Sequence, residues 1–421
     1  MVWWGTAVTW GAGGRDPHVA SIGAALIAIA LVMVQPWRKI ATIAFLLPLA
    51  IAVAVWIVVG LTPTGWNGAN DAASYVTAAS LFVLVAGWAR DDRRRAVVVG
   101  VVLVVIGAEF MVALWPWLGH ASSSAQMPGS FFYTNTYAAF LVPGATLGVA
   151  VVIRDTAPLN VIGWVVTPLA VAGIVFSASR GSGIALSMGV IAVAIVGVIV
   201  HRWGGFLRAI IVCALSAGTC FVLTGPPFFG ARESPAASIA TKAESFAGNG
   251  TARFEYWDTA LSVFLHWPIT GAGFHSFSAA SEILGISKST AFTHNAYLQA
   301  LTDGGLILGI PFWISCILLA VVALRQIWRG VADRRDFPAA ALAITVIVLL
   351  LHSGMDFDWT FAASFALTAV VAGAMIPSPV KPPRLGETPG WCLATVMCAS
   401  LALAAVAAWH GNLQFSFPIP R

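Results

Sequence analysis

Residues 182–200 read SGIALSMGVIAVAIVGVIV, a run in which no side chain carries a charge. At about 1.5 Å per residue, a helix of that length crosses the roughly 30 Å hydrocarbon core of a bilayer. Ser179-Arg180-Gly181 stands before it and His201-Arg202 after it. Outward from this run, apolar stretches of helical length recur near 19–35, 40–60, 72–89, 96–118, 135–153, 159–178, 208–225, 297–324, 339–356, 361–377 and 391–409. Alternating strands of about 10 residues, the pattern of an outer-membrane barrel, are not seen. Only 9% of the residues are charged and 59% are hydrophobic, whereas a soluble domain carries about 25% charged residues. The chain therefore reads as an all-α, polytopic transmembrane helical bundle of about twelve spans.

Basic residues orient the spans. The loops holding Arg38-Lys39, Arg90 to Arg95, Arg154, Arg202 and Arg208, Arg325 to Arg335, and Lys381 with Arg384 alternate along the chain and hold 15 of its 22 Lys and Arg. The positive-inside rule places them in the cytoplasm. The other side then receives the 119–134 loop, Arg180, residues 226–294, the Asp356-Phe-Asp358 turn and both termini. No small-residue cleavage site follows the first apolar run, so it is expected to be a retained helix and not a signal peptide. The net charge of +5 reflects this topology and contact with anionic membrane lipid, and no nucleic-acid partner is expected. Cys213, Cys220, Cys316, Cys392 and Cys398 all lie in apolar spans without metal-ligand or redox spacing, and read as packing residues.

Three segments follow: an N-terminal transmembrane bundle at 1–225 with about eight spans, a large hydrophilic loop at 226–294, and C-terminal helices at 295–421 with about four spans. Pro377-Ser-Pro379-Val-Lys-Pro382-Pro383 reads as a cytoplasmic linker between spans. The loop opens on Pro226-Pro227 and a Ser/Ala/Gly-rich stretch. Residues 251–266 then predict a short amphipathic helix, with Phe254, Trp257, Leu261 and Leu265 at three- and four-residue steps. Its apolar side is expected on the bundle or in the lipid headgroups. Arg253 and Trp257 share a face, which lets the ring brace the guanidinium. Pro268 ends the helix, and Gly271-Ala-Gly273 allows tight turns.

Charge is scarce on this side, so its cations carry information. Arg180 is either an interfacial arginine reaching lipid phosphate or a phosphate ligand, and the shortage of positive charge nearby favours the ligand. Arg253 alone would be an ordinary loop arginine. Two arginines and a histidine on one side of a membrane suit a diphosphate whose charge needs neutralising as its ester breaks. His294 stands where the loop re-enters apolar sequence, and can take a proton from an attacking hydroxyl or merely cap a helix. Asn295 is a good cap residue. His18, His120, His201 and His410 sit near span ends and read as interfacial, while His266 and His275 flank the Gly-x-Gly turn and can line the same site. His352 precedes Asp356 and Asp358, either of which can orient a histidine or be a solvated turn residue. Glu109 is an acid in an apolar run, pairing within the bundle or functional. Asn249-Gly-Thr251 matches a glycosylation sequon by chance. There is no Walker A loop, no Asp-x-Asp pair in the long loop and no His/Asp cluster with metal-ligand spacing, so no cofactor is assigned and a metal-independent mechanism is expected.

Several of these stretches together resemble the O-antigen ligase and O-antigen polymerase superfamily of bacterial membrane proteins. The likeness covers roughly residues 128–360. It rests on Gly129-Ser-Phe-Phe-Tyr-Thr-Asn135-Thr-Tyr137-Ala138, Ser179-Arg180-Gly181, Arg253-x-x-x-Trp257, Pro268-x-x-Gly271-x-Gly273, His294-Asn295-x-Tyr297-Leu298 and Asp303-Gly304-Gly305. The resemblance implies transfer of a glycan from an undecaprenyl-diphosphate carrier to a hydroxyl of a lipid, glycan or protein acceptor. The reaction would take place on the periplasmic face of the bacterial cytoplasmic (inner) membrane. It further implies that Arg180 and Arg253 hold the diphosphate and that His294 acts on the acceptor hydroxyl. Asn135, Trp257, Gly271, Gly273, Asn295, Tyr297 and Asp356 would support them, with Asp358 competing for the last role. The chain departs from the family in placing both termini outside and in its modest loop.

An attack on the anomeric carbon as diphosphate leaves would invert that carbon in one displacement. Ligase and polymerase differ only in acceptor, a lipid or protein in one case and a carrier-linked repeat unit in the other. Two readings from other classes stand beside them: a transporter or flippase of lipid-linked sugar, which needs no base, and a non-catalytic envelope scaffold.

Overall fold

The computed structural model describes residues 17–38, 40, 42–62, 68–119, 126–127, 129–131, 133–155, 158–223, 246–286, 290–333, 337–377 and 387–415. In chain order its helices are α1 (Pro17–Val34), α2 (Thr42–Leu61), α3 (Ala69–Trp88), α4 (Asp92–Gly119), α5 (Thr134–Arg154), α6 (Leu159–Ser177), α7 (Arg180–Leu223), α8 (Phe246–His266), α9 (Phe277–Ile283), α10 (Ala296–Asp333), α11 (Phe337–Ser353), α12 (Ala362–Met375) and α13 (Glu387–Phe415). No strand occurs among the described residues. Both chain ends, the start of the long loop at 226–245 and the linker beyond Pro377 lie outside them. So do the side chains of His18, His120, His201 and His410.

Every expected span coincides with helix. Ten segments are long and apolar enough to cross a membrane, and Phe337–Ser353 and Ala362–Met375 are shorter apolar helices. This is an all-α multi-pass membrane protein. One expectation is corrected. The runs at 182–200 and 208–225 were to be separated by a turn at Arg202 to Arg208, yet α7 passes through as a single helix of 44 residues. That is about 66 Å of helix, twice a hydrocarbon core. The segment contains no proline, and Gly204-Gly205 lowers helix propensity by only about 1 kcal/mol per residue. The alternation of sides therefore has no turn to rest on at that point.

Contacts group the chain into two units that are discontinuous in sequence and cut across the expected boundaries at 225 and 294. One contains Asp92–Gly250 and Leu319–His352. Its centre is α5, which packs against α4, α6 and α7 and is 94% buried over its membrane window. Small residues permit this: a Cβ on Gly163 of α6 would stand 3.0 Å from the Gly148 carbonyl of α5. The Thr146 and Thr345 hydroxyls, 3.1 Å apart, join α5 to α11. Arg208 donates to the Ile153 carbonyl at 3.1 Å and pairs with Asp155, fixing the C-terminal end of α5.

The other unit contains Gly13–Asp91, Thr251–Leu318 and Ser353–Arg421. Here α3 is central, packed by α1, α2, α12 and α13. Tyr75 meets Phe312 at 5.8 Å and Phe365 at 5.2 Å, and Trp359 stacks on Phe365 at 5.1 Å. Outside the spans, α8 begins at Phe246, before the expected start at 251. Its inward residues are Ala260 and Val263, which pack with Ala272, Phe277 and Ala280. Phe254, Leu261 and Leu265 are exposed, so most of the predicted apolar stripe points outward, as an interfacial helix requires.

Candidate active site

The site begins with the way α10 starts. Asn295 caps the helix: its Oδ1 accepts from the Tyr297 and Leu298 amides at 2.9 and 3.1 Å, and its Nδ2 donates to the Gly354 carbonyl at 2.9 Å. Thr293 donates its hydroxyl to the Asn295 carbonyl at 2.8 Å, and its amide donates to Gln299 Oε1 at 3.0 Å. Between these two anchored residues His294 adopts a left-handed conformation, φ +53°. A non-glycine residue held there costs on the order of 1 kcal/mol, a strain that clusters at functional sites.

A second device fixes the loop to α10. Gly271 has φ +67°, and a Cβ there would stand 2.6 Å from the Asp303 carbonyl. The amides of Ala272 and Gly273 donate to the carbonyls of Thr302 and Asp303 at 2.8 and 3.1 Å. The amides of Leu306 and Ile307 answer to the carbonyls of Pro268 and Ile269 at 2.8 and 3.2 Å. This lattice opens α10 at Gly305, φ +53°. The Pro268-x-x-Gly271-x-Gly273 and Asp303-Gly304-Gly305 motifs are thus the two halves of one joint.

The His294 ring lies stacked on Tyr256 at 5.4 Å and edge-on to Phe357 at 4.6 Å. Its Nδ1 stands 3.5 Å from Asp356 Oδ1. Arg253 Nη2 stands 3.5 Å from the other oxygen, Oδ2, of the same carboxylate. Asp356 is 4% exposed, against 18% for His294 and 32% for Arg253. The Phe357 amide donates to Asp356 Oδ1 at 2.9 Å, fixing the carboxylate. A buried acid thus sits between a guanidinium and an imidazole, both of which reach solvent. Trp257 does not brace Arg253; its Nε1 donates to the His294 carbonyl at 3.3 Å. The Tyr297 ring packs among Phe312, Trp313 and Trp359 at 5.4 to 6.3 Å, a structural role.

Arg180 and Asn135 belong to the other unit. Arg180 opens α7 after Ala178, which ends α6 in a left-handed turn. An exposed, largely apolar stripe of α7 runs from Arg180 along Gly183, Ile184, Ser187, Met188 and Ile191. In the same turn the Ser182 hydroxyl lies 3.1 Å from His352 Nε2 and 3.5 Å from the Asn135 carbonyl. Asn135 contributes its backbone to that contact. Buried Glu109 accepts from the Ser130 amide and hydroxyl, each at 2.9 Å, holding the Gly129–Phe131 turn. Of the remaining histidines, His266 rests edge-on against Trp267 at 4.4 Å.

Residues 164–314 match the family model described as O-antigen ligase. The chain is similar to O-antigen ligases over that stretch, about a third of its length. The match supports the O-antigen ligase and polymerase superfamily, whose members are glycan-processing membrane enzymes. No curated protein matches the chain. Arg180, Arg253, Trp257, Gly271, Gly273, His294, Asn295 and Tyr297 fall inside the matched stretch, whereas Asn135 and Asp356 fall outside it. The pairing of Ser182 with His352 had no sequence signal beyond a histidine in an apolar run. Asp356 was one of two candidate aspartates, and it is the one seated against both His294 and Arg253.

Proposed function

We propose that this protein transfers a glycan from an undecaprenyl-diphosphate carrier to an acceptor hydroxyl, with inversion and without a metal. The observation that carries the proposal is the Asp356 carboxylate, 3.5 Å from both His294 Nδ1 and Arg253 Nη2. With Nδ1 turned to Asp356, His294 works through Nε2. The acceptor oxygen attacks the anomeric carbon and its proton passes to Nε2. The bond to the diphosphate oxygen breaks, and the leaving group takes the electron pair. Asp356 stabilises the imidazolium that forms, and the Nδ1 contact tightens as charge develops. Arg253 meets the growing negative charge on the diphosphate. A ligase and a polymerase would use the same three side chains and differ in the acceptor presented.

The reaction is assigned to the periplasmic face of the inner membrane. Support comes from α10 alone, without passing through α7. The helix starts beside His294 and carries Arg325 and Arg329 towards its other end, with Arg334 and Arg335 next in the sequence. The positive-inside rule puts that basic end in the cytoplasm, so His294 faces the other side.

Arg180 is proposed as a further diphosphate ligand, supported by its motif and by the exposed apolar stripe of α7 that continues from it. In nanodiscs, Arg180→Ala is expected to weaken binding of undecaprenyl diphosphate about tenfold, the size of one lost charge-assisted hydrogen bond. Arg180→Lys should recover part of it. Unchanged binding by Arg180→Ala would reduce Arg180 to an interfacial arginine. The reaction itself is tested by the anomeric configuration of the product, read by NMR. Inversion is expected, and retention would require a covalent glycosyl intermediate and overturn the single displacement.

A further inference from the structure

Helix α8 is not apolar enough to cross a membrane, yet it shows large apolar side chains to the outside. Phe254 is 67% exposed, Leu261 47% and Leu265 67%, and Ile269, just beyond the helix, is 64% exposed. At 3.6 residues per turn Phe254, Leu261 and Leu265 form one stripe. The residues beside it are sorted. Glu255, Asp258, Ser262 and His266 line one edge, and half-buried Trp257 and Phe264 line the other. Ala260 and Val263 take a third face into the protein. A surface helix in water needs an inward apolar face and an outward polar one. A second apolar face, turned outward and kept apart from the polar edge, marks a contact surface.

What covers this stripe follows from what it joins. The Pro268 and Ile269 carbonyls accept from the Leu306 and Ile307 amides at 2.8 and 3.2 Å, which fastens the end of the stripe to the spanning helix α10. On α10, Leu306, Ile310, Trp313 and Ile317 are exposed at four- and three-residue steps, the side that a spanning helix turns to lipid. The two apolar surfaces therefore meet at the joint between Ile269 and Leu306, and the stripe of α8 continues the lipid-facing side of α10. The edges agree with this. Glu255 and Asp258 are repelled by anionic headgroups and belong on the water side, whereas a tryptophan such as Trp257 suits the headgroup level.

The stripe also adjoins the reacting centre. Phe254 follows Arg253 and rests edge-on against Trp257 at 5.3 Å, and Trp257 Nε1 donates to the His294 carbonyl at 3.3 Å. We propose that the stripe from Phe254 to Ile269 is a lipid-docking surface, seated at the headgroup and acyl boundary of the leaflet beside the start of α10, and that this seat holds Arg253 at the level of the carrier diphosphate. The second half rests on the reading of Arg253 as a diphosphate ligand; the first half does not.

Photo-crosslinking from the full chain, in nanodiscs of phosphatidylethanolamine and phosphatidylglycerol, identifies the occupant. p-Benzoylphenylalanine is placed at Leu265, at Ile310 as the lipid-facing control, or at Ser262 on the polar edge. Phospholipid adducts are expected at Leu265 and Ile310, read by mass spectrometry, and about fivefold fewer at Ser262. Crosslinks from position 265 to residues 226–245 of the same chain or to a second copy would overturn the docking surface, as would adducts at Ile310 alone. The link to Arg253 is tested by Leu265→Glu combined with Ile269→Glu, both exposed positions, with an unchanged Tm as the check on folding. Binding of undecaprenyl diphosphate in nanodiscs is expected to weaken about tenfold, while a water-soluble short-chain prenyl diphosphate binds as it does to the native chain. Equal weakening of both ligands, or of neither, overturns the link. A native chain that binds neither removes the diphosphate reading of Arg253, while the crosslinks still decide the docking surface.

Discussion

His294→Ala is expected to lower acceptor-dependent release of undecaprenyl diphosphate by two to four orders of magnitude, the range for loss of a positioned general base. Donor affinity should change little, because the imidazole acts on the acceptor hydroxyl and not on the diphosphate. The ring also packs between Tyr256 and Phe357, at 5.4 and 4.6 Å. His294→Asn therefore serves as the control: it tolerates the left-handed backbone at φ +53° and still lacks the base. Both variants should fall alike. Full turnover with donor bound in either one would move the protein from catalysis towards carrier transport.

Arg253→Ala should cost about 10²–10³ in kcat, the effect of removing one preorganised donor from a developing negative charge. A second consequence follows from the shared carboxylate. Asp356 is 4% exposed, and Arg253 is one of the groups set against it. Its removal leaves this buried carboxylate with one partner fewer, so Arg253→Ala should also be less stable than the native protein, read as a lower Tm. Arg253→Lys keeps the charge without the planar fork and should be intermediate. Unchanged kcat and Tm in Arg253→Ala would remove Arg253 from the reacting centre.

What the sequence disclosed was local. Apolar runs located the helices, and His294-Asn295 at the re-entry into apolar sequence located the cap of α10 together with the histidine it displays. Gly271-Ala-Gly273 announced tight turns, though not that they interlock with a break in α10 at Gly305. Pairings across the chain were hidden, because periodicity reports on neighbours and not on packing. Arg253 and Asp356 are 103 positions apart, and Ser182 and His352 are 170 apart. One local reading failed for a physical reason. Arg202 and Arg208 looked like the charges of a turn, but a helix without proline carries through them. On α8 the larger apolar residues turn outward, because close packing inside favours Ala260 and Val263, and side-chain size alone does not tell a bundle-facing stripe from a headgroup-facing one.

The most direct test is the native protein in nanodiscs, given undecaprenyl-diphosphate oligosaccharide with and without an acceptor glycan, with undecaprenyl diphosphate and glycosylated acceptor both counted. Release that requires acceptor, in equal molar amount to the product formed, is the predicted result. Tight donor binding without acceptor-dependent release would contradict the transferase.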